Sequence, residues 1–187
     1  MVLYGKKVCL RAVEEDDLEM LRNLTNDPEF EHAVVGWSYP VSKRDQEEWF
    51  SNCKYNDSRL RFIIETQESG AVGLIGLRDI DWKNGNASGL GMRIASKKVR
   101  EHGIATDAWM TLMKYAFEEL RLNRINGNAL SYNKISMHVC EKVGFKVEGI
   151  QREAVYKSGH FVDVVQLGCL KSDYEDIIKS NNYWGIK

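Results

Sequence analysis

The stretch Arg93-Ile-Ala-Ser-Lys-Lys-Val-Arg100-Glu-His-Gly103-Ile-Ala105-Thr106-Asp107-Ala108-Trp109-Met110 decides how the rest of the chain is read. An apolar strand closes near Ala95, a short basic loop carries Arg100 and Gly103, and an amphipathic helix opens at once and runs toward Leu120. That order builds an anion cradle. Gly103 has no Cβ where backbone must come close to a ligand, and the loop's free N–H groups and the positive end of the helix dipole converge on one point. A phosphate or pyrophosphate suits such a point. An ordinary strand, loop and capped helix shares this local pattern, so the neighbouring sequence has to separate the two.

Missing motifs narrow the ligand. There is no G-x-x-x-x-G-K-[ST], so no lysine and hydroxyl are placed for a nucleoside triphosphate and its magnesium, and G-x-G-x-x-G is absent as well. A nucleotide-binding protein is therefore disfavoured. Toward the N-terminus, Ala87–Ala95 reads as a strand delivered by the turn Lys83-Asn-Gly-Asn86, and Leu60–Glu65 and Ala71–Ile80 form a hairpin about Glu68-Ser-Gly70. Before them, Val8–Val13 reads as a first strand. It leads through Glu14-Glu15-Asp16-Asp17 into a helix with Leu18, Leu21 and Leu24, which stops at Asn26-Asp27-Pro28. Residues Glu29 to Pro40 read as irregular and aromatic, and a second helix starts near Ser42 and turns Trp49 and Phe50 inward.

Toward the C-terminus come a strand at Arg124–Leu130, a helix introduced by Asn133 and Ser136 and ended by Gly144, and paired strands near Val147–Tyr156 and Phe161–Leu170. These strands share the turn Lys157-Ser-Gly-His160, and a short helix spans Ser172–Ile178. The succession predicts an α+β fold, a mixed and mostly antiparallel central sheet flanked by helices. No repeat, linker or composition break divides residues 1–187, so a single domain is expected.

Composition sets outer limits on function. The 187 residues are 43% hydrophobic and 28% charged, enough for a core and a hydrated surface. Lys+Arg 26 against Asp+Glu 27 leaves a net charge of -1, which gives no general attraction to nucleic acid or anionic membrane. Cys9, Cys53, Cys140 and Cys169 lie far apart with no C-x-x-C, which argues for reduced thiols and against a zinc ribbon. No apolar leader or membrane span is visible, so a cytoplasmic protein is expected.

Arg100-x-x-Gly103-x-Ala105 matches the R/Q-x-x-G-x-G/A signature of the GNAT acetyltransferase superfamily. A second block, Asn133-x-x-Ser136, Glu141-Lys142-Val143-Gly144-Phe145 and Glu148-Gly149, resembles the N-x-x-S/A...E-K-x-G-F...E-G pattern of the same enzymes. Arg152, Tyr156, Gly159, Phe161 and Asp163, with Arg11-Ala-Val-Glu-Glu-Asp-Asp-Leu and Asn26-Asp-Pro28, resemble the branch that holds the ribosomal-protein N-terminal acetyltransferases and the spermidine acetyltransferases. The likeness covers nearly the whole chain.

The resemblance implies a GNAT-type sheet and acetyl-CoA as cosubstrate, with no metal. It implies that backbone at Met92, Arg93 and Ile94 bonds the pantetheine arm where two strands splay, and that Arg100, Glu101, His102, Gly103, Ile104, Ala105 and Thr106 take the pyrophosphate. Asn133 is implied to bond the pantetheine region and Ser136 to sit near the thioester sulfur; read alone, both are ordinary helix-starting residues.

Transfer of an acetyl group to an amine needs a neutral nucleophile, a polarised thioester carbonyl and a proton for the departing thiolate. In many GNAT enzymes a tyrosine seven residues after the motif asparagine supplies that proton, but here the position is Cys140, a residue type more often packed as a small hydrophobe. Ser136 becomes the preferred partner of the sulfur. A carboxylate common in the family falls on Gly89 if Gly91 is the family glycine, so the base is sought at Asp79, Asp81 or Glu153, at Glu29 or Glu31, or in water. Asp79 and Asp81 share parity and are expected on one face.

Glu31, Trp37, Tyr39, Asp81 and Tyr156 are expected to line the acceptor site, where acids beside aromatics suit a cationic amine. The acceptor is a small-molecule amine or a protein N-terminus, with neither nucleic acid nor membrane as partner, and a homodimer is compatible with the reading. The rival reading is a noncatalytic acyl-CoA sensor on the same fold, supported by the departures at Gly89 and Cys140.

Overall fold

The computed structural model describes residues 1–36, 39–53, 58–95 and 103–185. Its strands are β1 (Leu3–Tyr4), β2 (Cys9–Arg11), β3 (Arg59–Thr66), β4 (Gly70–Asp81), β5 (Asn86–Ile94), β6 (Arg124–Leu130), β7 (Lys146–Lys157) and β8 (His160–Leu170). Its helices are α1 (Leu18–Asn26), α2 (Pro28–Ala33), α3 (Lys43–Ser51), α4 (Ile104–Lys114), α5 (Lys134–Lys142) and α6 (Lys171–Asn181). The strands form one sheet in the order β1-β2-β3-β4-β5-β6-β8-β7. Every neighbouring pair is antiparallel except β5 and β6. The expected mixed, mostly antiparallel sheet flanked by helices is what the chain forms.

Helix α4 lies at the centre of the core. It was expected to be amphipathic, yet Ile104, Ala105 and every residue from Asp107 to Met113 are buried. A helix covered on nearly every side serves as a core element, and Trp109 packs edge-on against Phe145 with ring centroids 5.4 Å apart. Beyond Lys114 the helix widens into a π turn over Tyr115–Glu119.

Asp107, which reads in sequence as an ordinary first-turn acid, is 2% exposed. It accepts hydrogen bonds from the backbone N–H of Lys6 at 3.1 Å, Lys7 at 2.7 Å and Val8 at 3.1 Å, and from the Tyr183 hydroxyl at 2.7 Å. Those bonds offset the cost of burying its charge.

Several boundaries differ from expectation. The first strand is only Cys9–Arg11, because Glu14–Asp17 turns at once into a 3-10 segment ahead of α1. Asp17 is no exposed dipole partner: it is 3% exposed and paired with Arg11 at 2.8 Å. Residues 28–33, expected to be irregular, form α2, since Asp27 caps the Glu29 N–H and Pro28 takes the first helical position. In α3 the buried residue is Gln46, while Trp49 and Phe50 are half-buried. The last helix extends to Asn181.

Candidate active site

Strand β6 is registered against β5 only at Asn86–Ser88, opposite Arg124–Asn126. Past Ser88 the two part: β5 continues along β4, and β6 follows β8. A cleft therefore opens inside the sheet. The register of β4 with β5 shifts between the Ile75–Met92 and Leu77–Gly89 pairs, which places an extra residue at Leu90–Gly91 at the mouth of the cleft. Such a bulge bends the strand and re-aims its backbone groups.

Two helix starts, those of α4 and α5, carry further candidate residues. Gly103 precedes α4 in the left-handed region, at φ 74° and ψ 12°, and no side chain caps the helix. The first-turn N–H groups and the helix dipole at Ile104, Ala105 and Thr106 are thus arranged for an anion. A Cβ at Gly103 would lie 3.4 Å from the Lys7 ammonium, so a cation from the N-terminal strand region stands beside the cradle. The sequence gives no signal for Lys7, which is remote from the motif. Arg100, Glu101 and His102 lie outside the described residues.

Met92, Arg93 and Ile94 follow the bulge, paired with Ile75, Leu74 and Gly73. Met92 packs against the core, whereas the Arg93 guanidinium turns to the other side and donates to the Thr25 hydroxyl of α1 at 2.9 Å. Burial pulls the Arg93 side chain below its usual range. Asn133 begins α5, and its Oδ1 accepts from the Ser136 N–H at 3.0 Å. Ser136 lies one turn before Cys140, which is 8% exposed. Burial pushes the Cys140 thiol up to about 11, against a hydrogen bond from Ser136 that lowers it. Cys140 is thus a protonated packing group and is unsuited to act as a thiolate nucleophile.

Gly89 has a steric reason. A Cβ there would come 2.8 Å from Trp109 Cη2, so the indole fills the space a side chain would need.

The candidate carboxylates are separated by irregular backbone. Arg78 pairs with Ser88 and Asp81 with Asn86, which leaves two residues on β4 against one on β5, and Asp79 sits in this bulge with φ 52°. The expected common face of Asp79 and Asp81 is lost, because the bulge breaks the alternation. Asp79 pairs with Arg78 at 2.6 Å, and Asp81 accepts from the Asn84 backbone and side chain at 3.0 and 2.6 Å. Glu153 occupies another bulge, between Gln151 and Val155, with φ 50° and an exposed side chain.

Glu31, expected to meet the acceptor, has its carboxylate on Lys157 at 2.5 Å. Tyr39 is exposed, and Tyr156 is exposed with its ring edge-on to Phe161 at 5.1 Å. Trp37 lies outside the described residues. A cavity of about 210 Å³ opens where β5 and β6 separate, and Arg78, Ser88, Asn126, Asn128, Gln151 and Gln166 supply its polar wall. Among the described residues, no three His, Cys, Asp or Glu side chains are grouped to hold a metal, and no helix is long and apolar enough to cross a membrane.

Known proteins resemble this chain in sequence and in fold. The family model described as "Acetyltransferase (GNAT) domain" matches residues 7–146. The chain is 40% identical over 178 residues to the putative ribosomal N-acetyltransferase YdaF of Bacillus subtilis, covering 91% of this chain and 95% of that one. It is 26% identical over 172 residues to the spermidine N(1)-acetyltransferase of Vibrio cholerae, covering 91% and 96%. The crystal structure of the Vibrio cholerae spermidine N-acetyltransferase with CoA and spermine superposes with a TM-score of 0.82 at 25% identity, over 91% of this chain and 99% of that one. A splayed sheet, an α4 start without a side-chain cap and a family match over most of the sequence agree: the chain belongs to the GNAT acetyltransferase family.

Proposed function

We infer that this acetyl-CoA-dependent N-acetyltransferase takes its amine from the polar sheet face at the β5–β6 parting and holds acetyl-CoA from the α4 and α5 side. The observation that carries the reading is the parting itself. It leaves a β-edge from Gly89 to Arg93 available for an extended amide-bearing arm, and the uncapped α4 start after Gly103 suits the pyrophosphate. Acetyl-CoA supplies the activated thioester.

Strand N–H groups at Met92 or Arg93 polarise the carbonyl, and Ser136 hydrogen-bonds the sulfur as it leaves. The carbon–nitrogen bond forms as the carbon–sulfur bond breaks; the ammonium proton goes to water and the thiolate regains one. Water is the favoured carrier because Asp79 and Asp81 are committed to internal partners. Glu153, exposed in the β7 bulge two residues from the cavity-lining Gln151, is assigned to receive the proton from that water. The reaction is cytosolic and needs no metal.

The cavity favours one acceptor class. Among the described residues, its polar side chains are four carboxamides, a serine and an arginine, with no carboxylate. Such a wall bonds to the carbonyls and amides of a peptide start, whereas a bare polyamine seeks fixed negative charge. We therefore place a protein or peptide N-terminus ahead of spermidine.

The test is thiol release from acetyl-CoA with short peptides bearing free N-termini, in parallel with spermidine and amino sugars. The expected result is a kcat/KM at least tenfold higher for a peptide. Preference for spermidine would overturn the acceptor class, and acetyl-CoA binding without release for any amine would favour the sensor reading.

A further inference from the structure

The C-terminal end of α2 exposes carbonyls that the helix itself cannot satisfy. Three in succession are met from outside. Glu31 O accepts from the Lys157 ammonium at 2.8 Å, His32 O from the Tyr132 hydroxyl at 2.5 Å, and Ala33 O from the Asn133 carboxamide at 2.9 Å. Lys157 is 4% exposed and also bonds Gly36 O at 2.8 Å and the Glu31 carboxylate at 2.5 Å. Ser158 adds a 3.1 Å contact to His32 Nδ1. Beside these ties Val35 packs on Leu130, Val162 and Val164.

One member of this set has two duties. The Asn133 Oδ1 caps the first turn of α5 through the Ser136 N–H, while its Nδ2 grips Ala33. A single planar amide thus fixes the turn that carries Ser136 relative to the α2 segment.

We propose that Asn133 and Lys157 are positioning residues: they bracket segment 31–36 against α5 and the β7–β8 turn, and through Val35 on Leu130 and Val164 they brace the β6 and β8 strands that carry Asn128 and Gln166 of the acceptor wall. Asn133 then acts through Ser136 and Ala33 rather than as a ligand of the pantetheine arm. The catalytic part of this rests on the acetyltransferase reading; the bracket itself does not.

The two duties can be separated by substitution. Asn133→Asp keeps an N-cap oxygen for Ser136 but loses the donor to Ala33 and sets a carboxylate against that carbonyl. Lys157→Met removes the other clamp while leaving α5 untouched. Each variant is measured for acetyl-CoA affinity by calorimetry, for peptide KM and kcat by thiol release, and for amide hydrogen exchange over residues 28–36.

The expected result for both is faster exchange in that segment, a peptide KM raised at least tenfold and acetyl-CoA affinity within threefold of the parent. Unchanged exchange, or faster exchange with unchanged KM, overturns the proposal. So does an Asn133→Asp variant that loses acetyl-CoA affinity tenfold, since a direct cofactor ligand behaves that way. If the parent releases no thiol with any amine, the transfer reading fails, and exchange and affinity still decide whether the bracket exists.

Discussion

The proposed cofactor side and the proposed acceptor side of the cleft are built by different means. On the first, the working groups are backbone: the strand edge past Ser88, the bulge at Leu90–Gly91 and the uncapped start of α4. On the second, side chains from distant parts of the sequence hold the segment that braces the wall-bearing strands. Lys157 reaches α2 across 126 positions, and Tyr132 and Asn133 across 100. Backbone sites tolerate many side chains but few changes of chain path. Side-chain ties can be cut one at a time with graded losses.

The largest expected effect is on the backbone side. Gly103→Glu puts an L-residue at φ 74° and a negative charge at the helix start, so acetyl-CoA affinity should fall at least about 100-fold by calorimetry, with folding retained by circular dichroism. Normal binding would show that this helix start is not the phosphate site and would dissolve the contrast.

Next comes Gly89→Ala, whose added methyl meets the Trp109 ring. It should cost about 1–3 kcal/mol in urea unfolding. Trp109→Phe removes the colliding atom, so the same change should cost less in that background, a coupling that a double-mutant cycle measures.

The smallest effect belongs to a single tie, Arg11 with Asp17 at the entrance to α1. Burial pushes the Asp17 carboxyl up, but the Arg11 guanidinium and the Glu14 N–H outweigh it and hold the group below its usual range. A depressed carboxyl stabilises the fold above the unfolded value near 4 and loses that contribution as pH falls through the folded one. The melting temperature of the parent should therefore drop more steeply below about pH 4 than that of Asp17→Asn. Parallel curves would mean the tie is idle.

This division also explains what the sequence disclosed. Gly103, Ile104 and the strand ending near Ala95 are legible because a helix start after a glycine loop is a local pattern. The sheet and most helices follow from periodicity for the same reason. The bulge at Asp79 is not legible, since nothing in Leu77-Arg78-Asp79-Ile80-Asp81 announces a left-handed residue, and the parity argument fails there. Lys157 reads as a turn lysine, and Glu31 as an available acid, until folding brings them together. The missing acid at Gly89 looks like a loss in sequence and becomes a packing requirement only once Trp109 is seen above it.

The burial of Asp107 has a topological consequence. Its carboxylate binds Lys6, Lys7 and Val8 on one side and Tyr183 on the other, and Lys6 Nζ lies 4.2 Å from the Tyr183 ring centroid. Residues 6 and 183 are therefore spatial neighbours, joined through one side chain of the central helix. The described chain is nearly a closed ring, so a short flexible linker could span its two ends, and a circularly permuted version opened at the exposed Lys83–Asn84 turn would keep every strand pairing in the sheet.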